Sequence, residues 1–132
     1  MTVQPDVGSI RPRALVVEDE VATRTLLAHA LDGMGFDATQ TQDRARALEL
    51  AARDQPDIIV LDLNLGQGPT GIDLIDPLLE AAPYCAILIL TTFRSPQLAG
   101  ATSQLPAAVS FLCKRDLTSI EILTTAVEAA LE

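Results

Sequence analysis

Short apolar runs alternate along this chain with stretches of helical periodicity, and this alternation constrains the fold more than any other feature of the sequence. The run at 57–61, Asp-Ile-Ile-Val-Leu, is continuous and rich in β-branched residues, which is typical of a strand covered on both faces. The run at 85–90 is also continuous, whereas 36–40 is short and alternating, as in an edge strand. The five predicted strands are 13–17, 36–40, 57–61, 85–90 and 108–112.

A helical stretch follows each predicted strand. Asp43 is a candidate cap for the second helix, and Thr118-Ser119-Ile120-Glu121 has the pattern of a capping box that opens the last one. Thr70 and Asp73 resemble a capping pair for the third helix, in which Pro77 lies beyond the first turn and predicts a kink or a short helix. The predicted helices are 21–34, 43–53, 70–81, 96–104 and 118–131.

Five strands that alternate with five helices predict an α/β domain, in which right-handed crossovers build a parallel sheet with helices on both faces. Only 3% of the residues are aromatic, so the core must be aliphatic. The residues predicted to face inward are Val21, Leu27, Leu31 and Met34 in the first helix and Ala45, Leu48 and Ala52 in the second.

One domain, 13–132, is expected after a flexible leader, 1–12, which is polar and carries Pro5, Gly8 and Pro12. The leader lacks the apolar centre of a signal peptide, and no apolar run is long enough to span a bilayer, which favours a cytoplasmic protein. Cys85 and Cys113 lie in apolar runs and are expected to be buried thiols. The net charge of −9 argues against direct contact with nucleic acid or anionic lipid.

In open α/β sheets the functional site lies at the carboxyl ends of the strands. The polar residues at these ends are Glu18, Asp19 and Glu20 after the first strand, Asp62 after the third, Thr91 and Thr92 after the fourth, and Lys114, the only lysine, after the fifth. Each has a plain structural interpretation when taken alone, such as a helix cap or a turn. Their common position at one rim instead favours a site.

Three carboxylates in one crevice repel each other, and a hard cation such as Mg²⁺ relieves that repulsion. Glu18, Asp19 and Asp62 would supply carboxylate oxygens, and the backbone carbonyl of Asn64 could supply another. A carboxylate beside Mg²⁺ suits phosphoryl transfer, with Asp62 as the attacking group. Lys114 would then counter the charge of the phosphoryl oxygens, to which Thr91 could donate a hydrogen bond.

Four segments, 15–20, 58–63, 89–92 and 111–114, occur in an order and at a spacing that resemble the receiver domain of bacterial two-component response regulators. The resemblance implies a flavodoxin-like (βα)5 three-layer sandwich with sheet order 2-1-3-4-5. It implies that Asp62 is the phosphoacceptor. It also implies that Asp19 binds the metal directly and that Glu18 acts through water.

The same resemblance implies a switch rather than an enzyme, with at most self-phosphorylation from small donors and slow autodephosphorylation. Thr91 would be the switch hydroxyl, Lys114 the phosphate-binding lysine, and Phe111 the aromatic residue that moves inward on activation. The donor would be a phosphohistidine on a sensor histidine kinase or a phosphotransfer protein. The output face would combine the fourth helix, the fifth strand and the last helix.

Three alternatives remain open from the sequence. The chain could be the amino-terminal receiver of a longer DNA-binding regulator. It could be a haloacid-dehalogenase-like phosphatase, although such enzymes need a second aspartate where Asn64 stands. It could be a flavodoxin, although carboxylates after the first strand would repel the FMN phosphate.

Overall fold

The structure is a computed structural model that describes residues 11–62, 74–91 and 108–131. Its elements in chain order are β1 (Arg13–Val17), α1 (Val21–Gly33), β2 (Asp37–Thr41), α2 (Arg44–Asp54), β3 (Ile58–Asp62), α3 (Ile75–Ala81), β4 (Ala86–Thr91), β5 (Val109–Cys113), a 3-10 turn (Lys114–Asp116) and α4 (Ile120–Leu131). The strands pair in parallel in the order β2-β1-β3-β4-β5. This confirms the predicted α/β class and sheet order.

The strand boundaries differ from the prediction by one residue in four of five cases. β1 has the predicted bounds, whereas β2, β3, β4 and β5 each begin and end one residue later. Asp62 and Thr91 are therefore the last residues of their strands rather than the first residues of loops. Asp62 is in register with Leu90, and Thr91 is in register with Cys113.

Two aliphatic clusters lie on opposite faces of the sheet because successive strand residues point to opposite sides. One face packs against α2 and α3 through residues such as Leu15, Ile59 and Ile87. The other packs against α1 and α4 through residues such as Val16, Val60 and Leu88. Both faces of the central strands are covered, so their continuous apolar character has a structural reason.

Aromatic side chains contribute little to this interior. Phe36 is buried in the cluster under α1, whereas Tyr84 is 97% exposed. Cys85 is a buried free thiol, and burial raises its pKa to about 11. Cys113 is also free but only half-buried, so the prediction of a buried thiol is confirmed at Cys85 alone.

The predicted inward face of α2 is wrong. Ala45 and Ala52 are exposed, and Leu48 is half-buried. The stripe against the sheet lies one to two residues away on the same helix, at Ala47, Leu50 and Ala51. Because α2 carries aliphatic residues around most of its circumference, more than one stripe satisfies helical spacing, and only the packing selects one.

In α1, Leu27 and Leu31 are buried as predicted, Met34 is half-buried, and Val21 is 61% exposed, so the prediction for Val21 is wrong. Val21 is the first residue of the helix and belongs to neither of the two aliphatic clusters.

The helix starts test the predicted caps. The Asp43 side chain accepts a hydrogen bond of 3.3 Å from the Ala45 amide, which confirms it as the cap of α2. At α4 the Ile122 amide donates to Ser119 Oγ at 3.4 Å, so the cap lies one residue after the predicted Thr118. Predictions that involve Thr70, Asp73 and 96–104 lie outside the described residues.

Pro77 is the third residue of α3, within the first turn, rather than beyond it as predicted. A proline is tolerated there because the amide it lacks would have no partner inside the helix. The expectation of a short helix is confirmed, since α3 has seven residues. Among the helices of the described segments, none combines the length and the apolarity that a membrane crossing needs.

The turn from α1 to β2 depends on backbone conformation. Gly35 has φ +99°, in a region that side chains rarely adopt, and its amide donates to the Asp32 carbonyl. Arg11, at the start of the described residues, contacts this turn. Its guanidinium donates hydrogen bonds to the carbonyls of Gly35 and Phe36 at 3.2 and 2.9 Å. Gly33 is the last residue of α1.

We expect alanine to have opposite effects at these two glycines. Gly35→Ala should lower the free energy of unfolding by about 1–2 kcal/mol, because a Cβ strains the positive φ. Gly33→Ala should raise it by about 0.5 kcal/mol through helix propensity. An added Cβ meets no atom within 4 Å at either site, so steric clashes do not contribute to the difference between the two variants. Urea unfolding followed by far-UV circular dichroism measures both, and equal effects would contradict the assignment.

Candidate functional site

The carboxyl ends of four neighbouring strands converge at one edge of the sheet. Glu18 follows β1, Asp62 ends β3, Thr91 ends β4 and Lys114 follows β5. The parallel pairing places these ends side by side. Glu18, Asp62 and Thr91 are each 1% exposed, so the structure buries three polar side chains together in a mostly aliphatic domain.

Three carboxylates form the centre of this group. One oxygen each from Glu18, Asp19 and Asp62 lies within 4.8 Å of the others. Asp19 is exposed, in contrast to its two buried neighbours. Carboxylate oxygens grouped in this way are candidate ligands of a single cation.

Backbone hydrogen bonds hold Glu18 in place. Its amide donates to the Thr41 carbonyl at 3.0 Å, which extends the β1–β2 ladder by one residue. Its Oε2 accepts from the Glu20 amide at 3.1 Å. The side chain is therefore turned back under its own loop and toward β3.

Lys114 contacts both buried acids. Its Nζ lies 3.3 Å from Glu18 Oε1 and 3.2 Å from Asp62 Oδ2, and its side chain is 24% exposed. Burial lowers the pKa of this amine, but the attraction of Asp62 and Glu18 outweighs burial and the pKa is raised overall. Lys114 therefore carries its positive charge at neutral pH.

Glu18 shows the electrostatic cost of the arrangement. Its pKa is raised to about 7, mainly because burial disfavours the charged carboxylate; the neighbouring Asp62 carboxyl also raises it, whereas the Glu20 amide and Lys114 lower it. Its Oε1 accepts no hydrogen bond from the described residues, although Lys114 lies within ion-pair distance. A buried acid with an oxygen that accepts no hydrogen bond and with two acidic neighbours suits a hard divalent cation, which prefers oxygen ligands.

Thr91 and Phe111 are neighbours on the sheet. Phe111 pairs with Ile89, two residues before Thr91, so both side chains point to the face covered by α2 and α3. Phe111 is half-buried and packs against that cluster. Asn64 and Thr92 lie outside the described residues.

The structure adds a residue that the sequence did not indicate. Arg24, in α1, donates from Nη1 to the backbone carbonyl of Glu18 at 3.0 Å. No local pattern could have revealed this contact, since it depends on how α1 lies against the loop that precedes it.

Comparison with known proteins identifies the family. The family model for the response regulator receiver domain matches residues 14–127, which is most of the chain. The protein belongs to the response regulator receiver domain family, and its function is that of a receiver domain of two-component response regulators.

Two curated relatives illustrate the range of this family. The chain is 33% identical over 85 residues to the response regulator protein PilR of Pseudomonas aeruginosa, covering 64% of this chain and 19% of PilR. It is 22% identical over 108 residues to sporulation initiation phosphotransferase F of Bacillus subtilis, covering 82% and 86%. Four of the curated relatives are much longer proteins, of which the chain spans 19–32%.

One similar solved structure is a response regulator protein from Burkholderia pseudomallei with a phosphorylated aspartic acid, a calcium ion and citrate. It has a TM-score of 0.73 and 29% identity, and the match covers 89% of this chain and 70% of that one.

Glu18→Gln should stabilise the metal-free protein at pH 8 by about 1–3 kcal/mol. The pKa of Glu18 rises from 4.5 to about 7 on folding, so the folded state binds this proton more tightly and loses stability as pH rises through that window. The gain should therefore be greatest above pH 7 and fade toward pH 4.5. Urea unfolding with a chelator present, at pH 5 and pH 8, measures it.

Glu128→Gln is the matched control, because Glu128 is exposed on α4 and its carboxylate stays in contact with water in the folded protein. It should change the stability by less than about 0.5 kcal/mol at either pH. A Glu18→Gln protein that is no more stable than wild type at pH 8, or that gains more at pH 5, would contradict the assigned burial cost.

Proposed function

We propose that Asp62 accepts a phosphoryl group from a phosphohistidine on a sensor histidine kinase or a phosphotransfer protein. The observation that carries this proposal is the meeting of three carboxylates within 4.8 Å, two of them in contact with one lysine. This arrangement combines a nucleophile, a cation site and a fixed positive charge at one point. The Burkholderia pseudomallei structure, with its phosphorylated aspartic acid and calcium ion, supports the same reaction here.

The cation is proposed to be Mg²⁺, held by Glu18, Asp19 and Asp62 and by the backbone carbonyl of Asn64. When bound, it would supply positive charge against the phosphoryl oxygens and the acidic cluster. The all-oxygen donor set of the described residues fits this choice. Burial raises the pKa of Glu18, and a bound cation would oppose that effect by favouring the ionised carboxylate.

The transfer forms one bond and breaks one. A carboxylate oxygen of Asp62 attacks the phosphorus, the phosphorus–nitrogen bond of the donor breaks, and its electron pair returns to the imidazole. The product is an acyl phosphate on Asp62. Burial of Asp62 at 1% exposure leaves the carboxylate little solvation to lose before attack.

Lys114 and Thr91 are the residues proposed to receive the phosphoryl oxygens. The Lys114 amine already lies 3.2 Å from Asp62 Oδ2, so it can neutralise developing charge without a large movement. Thr91 ends the neighbouring strand and can donate its hydroxyl hydrogen to a phosphoryl oxygen. Phosphorylation adds about two negative charges and three acceptor oxygens, which is enough to draw both groups inward.

The switch is proposed to couple Thr91 to Phe111. Both lie on the α2 and α3 face of adjacent strands, and Phe111 is half-buried, so an inward movement would bury more of the ring. Movement of Thr91 toward the phosphoryl group would vacate space for the ring. The result is a shift between two surfaces on β5, α4 and the predicted helix at 96–104, where an output protein would bind.

The acceptor is proposed to act once per phosphorylation event and not as a turnover enzyme. Self-phosphorylation from small donors and slow autodephosphorylation are the only reactions we expect. A phosphatase of the aspartyl-nucleophile type is less suitable, because Asn64 stands where that class needs an acid. With a net charge of −9 we expect no direct contact with nucleic acid.

A second candidate is that this domain serves as the receiver of a longer DNA-binding regulator. The longer relatives favour this candidate, because the chain spans only 19–32% of their length. In that case the same phosphorylation would act on an effector domain in place of a separate partner. The chemistry at Asp62 is the same in both cases.

Asp62→Asn should abolish labelling by a small phosphodonor such as acetyl phosphate, because an amide cannot form the acyl phosphate. Intact-mass spectrometry detects the added phosphoryl group, and lability in acid and in alkali identifies it as an acyl phosphate. Asp57→Asn is the matched control. Asp57 directly precedes β3 at the opposite end of the strand from Asp62, and its carboxylate accepts a hydrogen bond of 2.9 Å from the Arg13 amide. Full labelling of the Asp62 variant would disprove the assignment.

Lys114→Met should slow phosphorylation by acetyl phosphate on the order of 100-fold, because it removes the fixed charge beside the transferred group. Arg115→Met removes an exposed positive charge from the next residue and should leave the rate within about twofold of wild type. The initial rate of phosphoprotein formation, measured at saturating Mg²⁺, distinguishes the two. Similar rates for both variants would exclude a direct role for Lys114.

A further inference from the structure

Arg24 connects three parts of the molecule beside the acidic cluster. It is the fourth residue of α1, and its own amide donates to the Glu20 carbonyl at 2.9 Å. Its guanidinium Nη1 donates to the Glu18 carbonyl at 3.0 Å and to Gln42 Oε1 at 3.4 Å. One half-buried side chain thus ties the helix to the loop after β1 and to the loop after β2.

The contact with Glu18 falls on a peptide group that matters to the site. The carbonyl that Arg24 holds belongs to the peptide that joins Glu18 to Asp19. Since a peptide is planar, fixing this carbonyl also fixes the amide and the Cα position of Asp19. The two residues on either side of this peptide are two of the three acids of the cluster.

Glu18 and Asp19 depend on that peptide to different degrees. The Glu18 side chain is buried and is also held by the Glu20 amide and Lys114. The Asp19 side chain is exposed, and within the described segments no hydrogen bond or ion pair restrains its carboxylate. The direction of Asp19 is therefore set mainly by the backbone from which it projects.

We infer that Arg24 is a positioning residue that aims the Asp19 carboxylate at the cation site by holding the Glu18–Asp19 peptide. This inference rests on the proposed function, since it concerns the cation that Glu18, Asp19 and Asp62 would bind. Arg24 does not touch the cation or the phosphoryl group. It acts through the backbone, as the residues behind metal ligands commonly do.

The charge of Arg24 makes the inference easy to distinguish from a simple electrostatic effect. A guanidinium near an acidic site repels a divalent cation, so its removal should tighten Mg²⁺ binding if charge alone matters. If Arg24 positions Asp19, its removal should weaken Mg²⁺ binding instead. The two explanations predict changes of opposite sign.

The test uses Arg24→Met, which keeps an unbranched side chain but has no donor. Amide chemical shifts followed during Mg²⁺ titration give the dissociation constant without any need for phosphorylation. We expect the constant to rise roughly 10-fold. Phosphorylation by acetyl phosphate should be slow at low Mg²⁺ and should return to within about twofold of the wild-type rate at saturating Mg²⁺, because the reacting groups themselves are intact.

Gln42→Ala is the control, because it removes the other acceptor of Arg24 and leaves the Glu18 contact in place. It should bind Mg²⁺ within about twofold of wild type. An equal loss in Gln42→Ala would overturn the assignment to the Glu18 carbonyl. If Arg24→Met does not fold, as judged by far-UV circular dichroism, Arg24→Lys replaces it, with a dissociation constant raised by about two- to fourfold because a flexible ammonium holds the Glu18 carbonyl less firmly than the planar guanidinium.

Unchanged or tighter Mg²⁺ binding in the Arg24 variant would overturn the inference, as would a rate that stays low at saturating Mg²⁺. Wild-type protein that binds no Mg²⁺ at all would instead overturn the proposed function. The two failures are therefore distinguishable in the same titration.

Discussion

Mutual repulsion among clustered acids, two of them buried, dominates the electrostatics of this domain, and it arises directly from the parallel sheet. Strands that run in one direction deliver their last side chains to one edge, where oxygens of Glu18, Asp19 and Asp62 come within 4.8 Å of one another. Two of these acids are 1% exposed, so water does little to screen them. The aliphatic clusters on the two faces of the sheet must hold the strand ends together against this repulsion.

The domain relieves the repulsion in part through its own groups. Lys114 lies between Glu18 and Asp62, and the raised pKa of Glu18 means that a proton is available to the pair near neutral pH. Neither the Lys114 charge nor the proton removes the excess negative charge when all three acids are ionised. An added cation would relieve this charge, and under the proposed function the acceptance of a phosphoryl group would depend on where that cation is held. Arg24 and the Thr41 carbonyl, both outside the cluster, provide the rigidity that such positioning requires.

The sequence was sufficient for the architecture, and it also predicted which of the described polar side chains meet at one edge of the sheet, because both follow from local patterns. Continuous aliphatic runs identified the strands, and the direction of a parallel sheet placed Asp62 and Lys114 at the same rim. Properties that depend on packing were not accessible. The stripe of α2 that faces the sheet was misplaced, since the aliphatic positions around that helix permit several stripes. Two further properties depend on tertiary contacts, which produce no periodic pattern in the sequence. They are the burial of Glu18 beside an exposed Asp19 and the hydrogen bond from Arg24 to the Glu18 carbonyl.

The aliphatic interior has a consequence for how this molecule can be observed. The chain has no tryptophan and a single tyrosine, Tyr84, which is already 97% exposed in the folded state. Ultraviolet absorbance and intrinsic fluorescence will therefore change little when the core opens or rearranges. Leucine, isoleucine, valine and alanine methyl groups line both sides of the sheet up to the strand ends that carry the acids. The NMR resonances of these methyl groups should therefore report any motion that passes from the acidic edge into the interior.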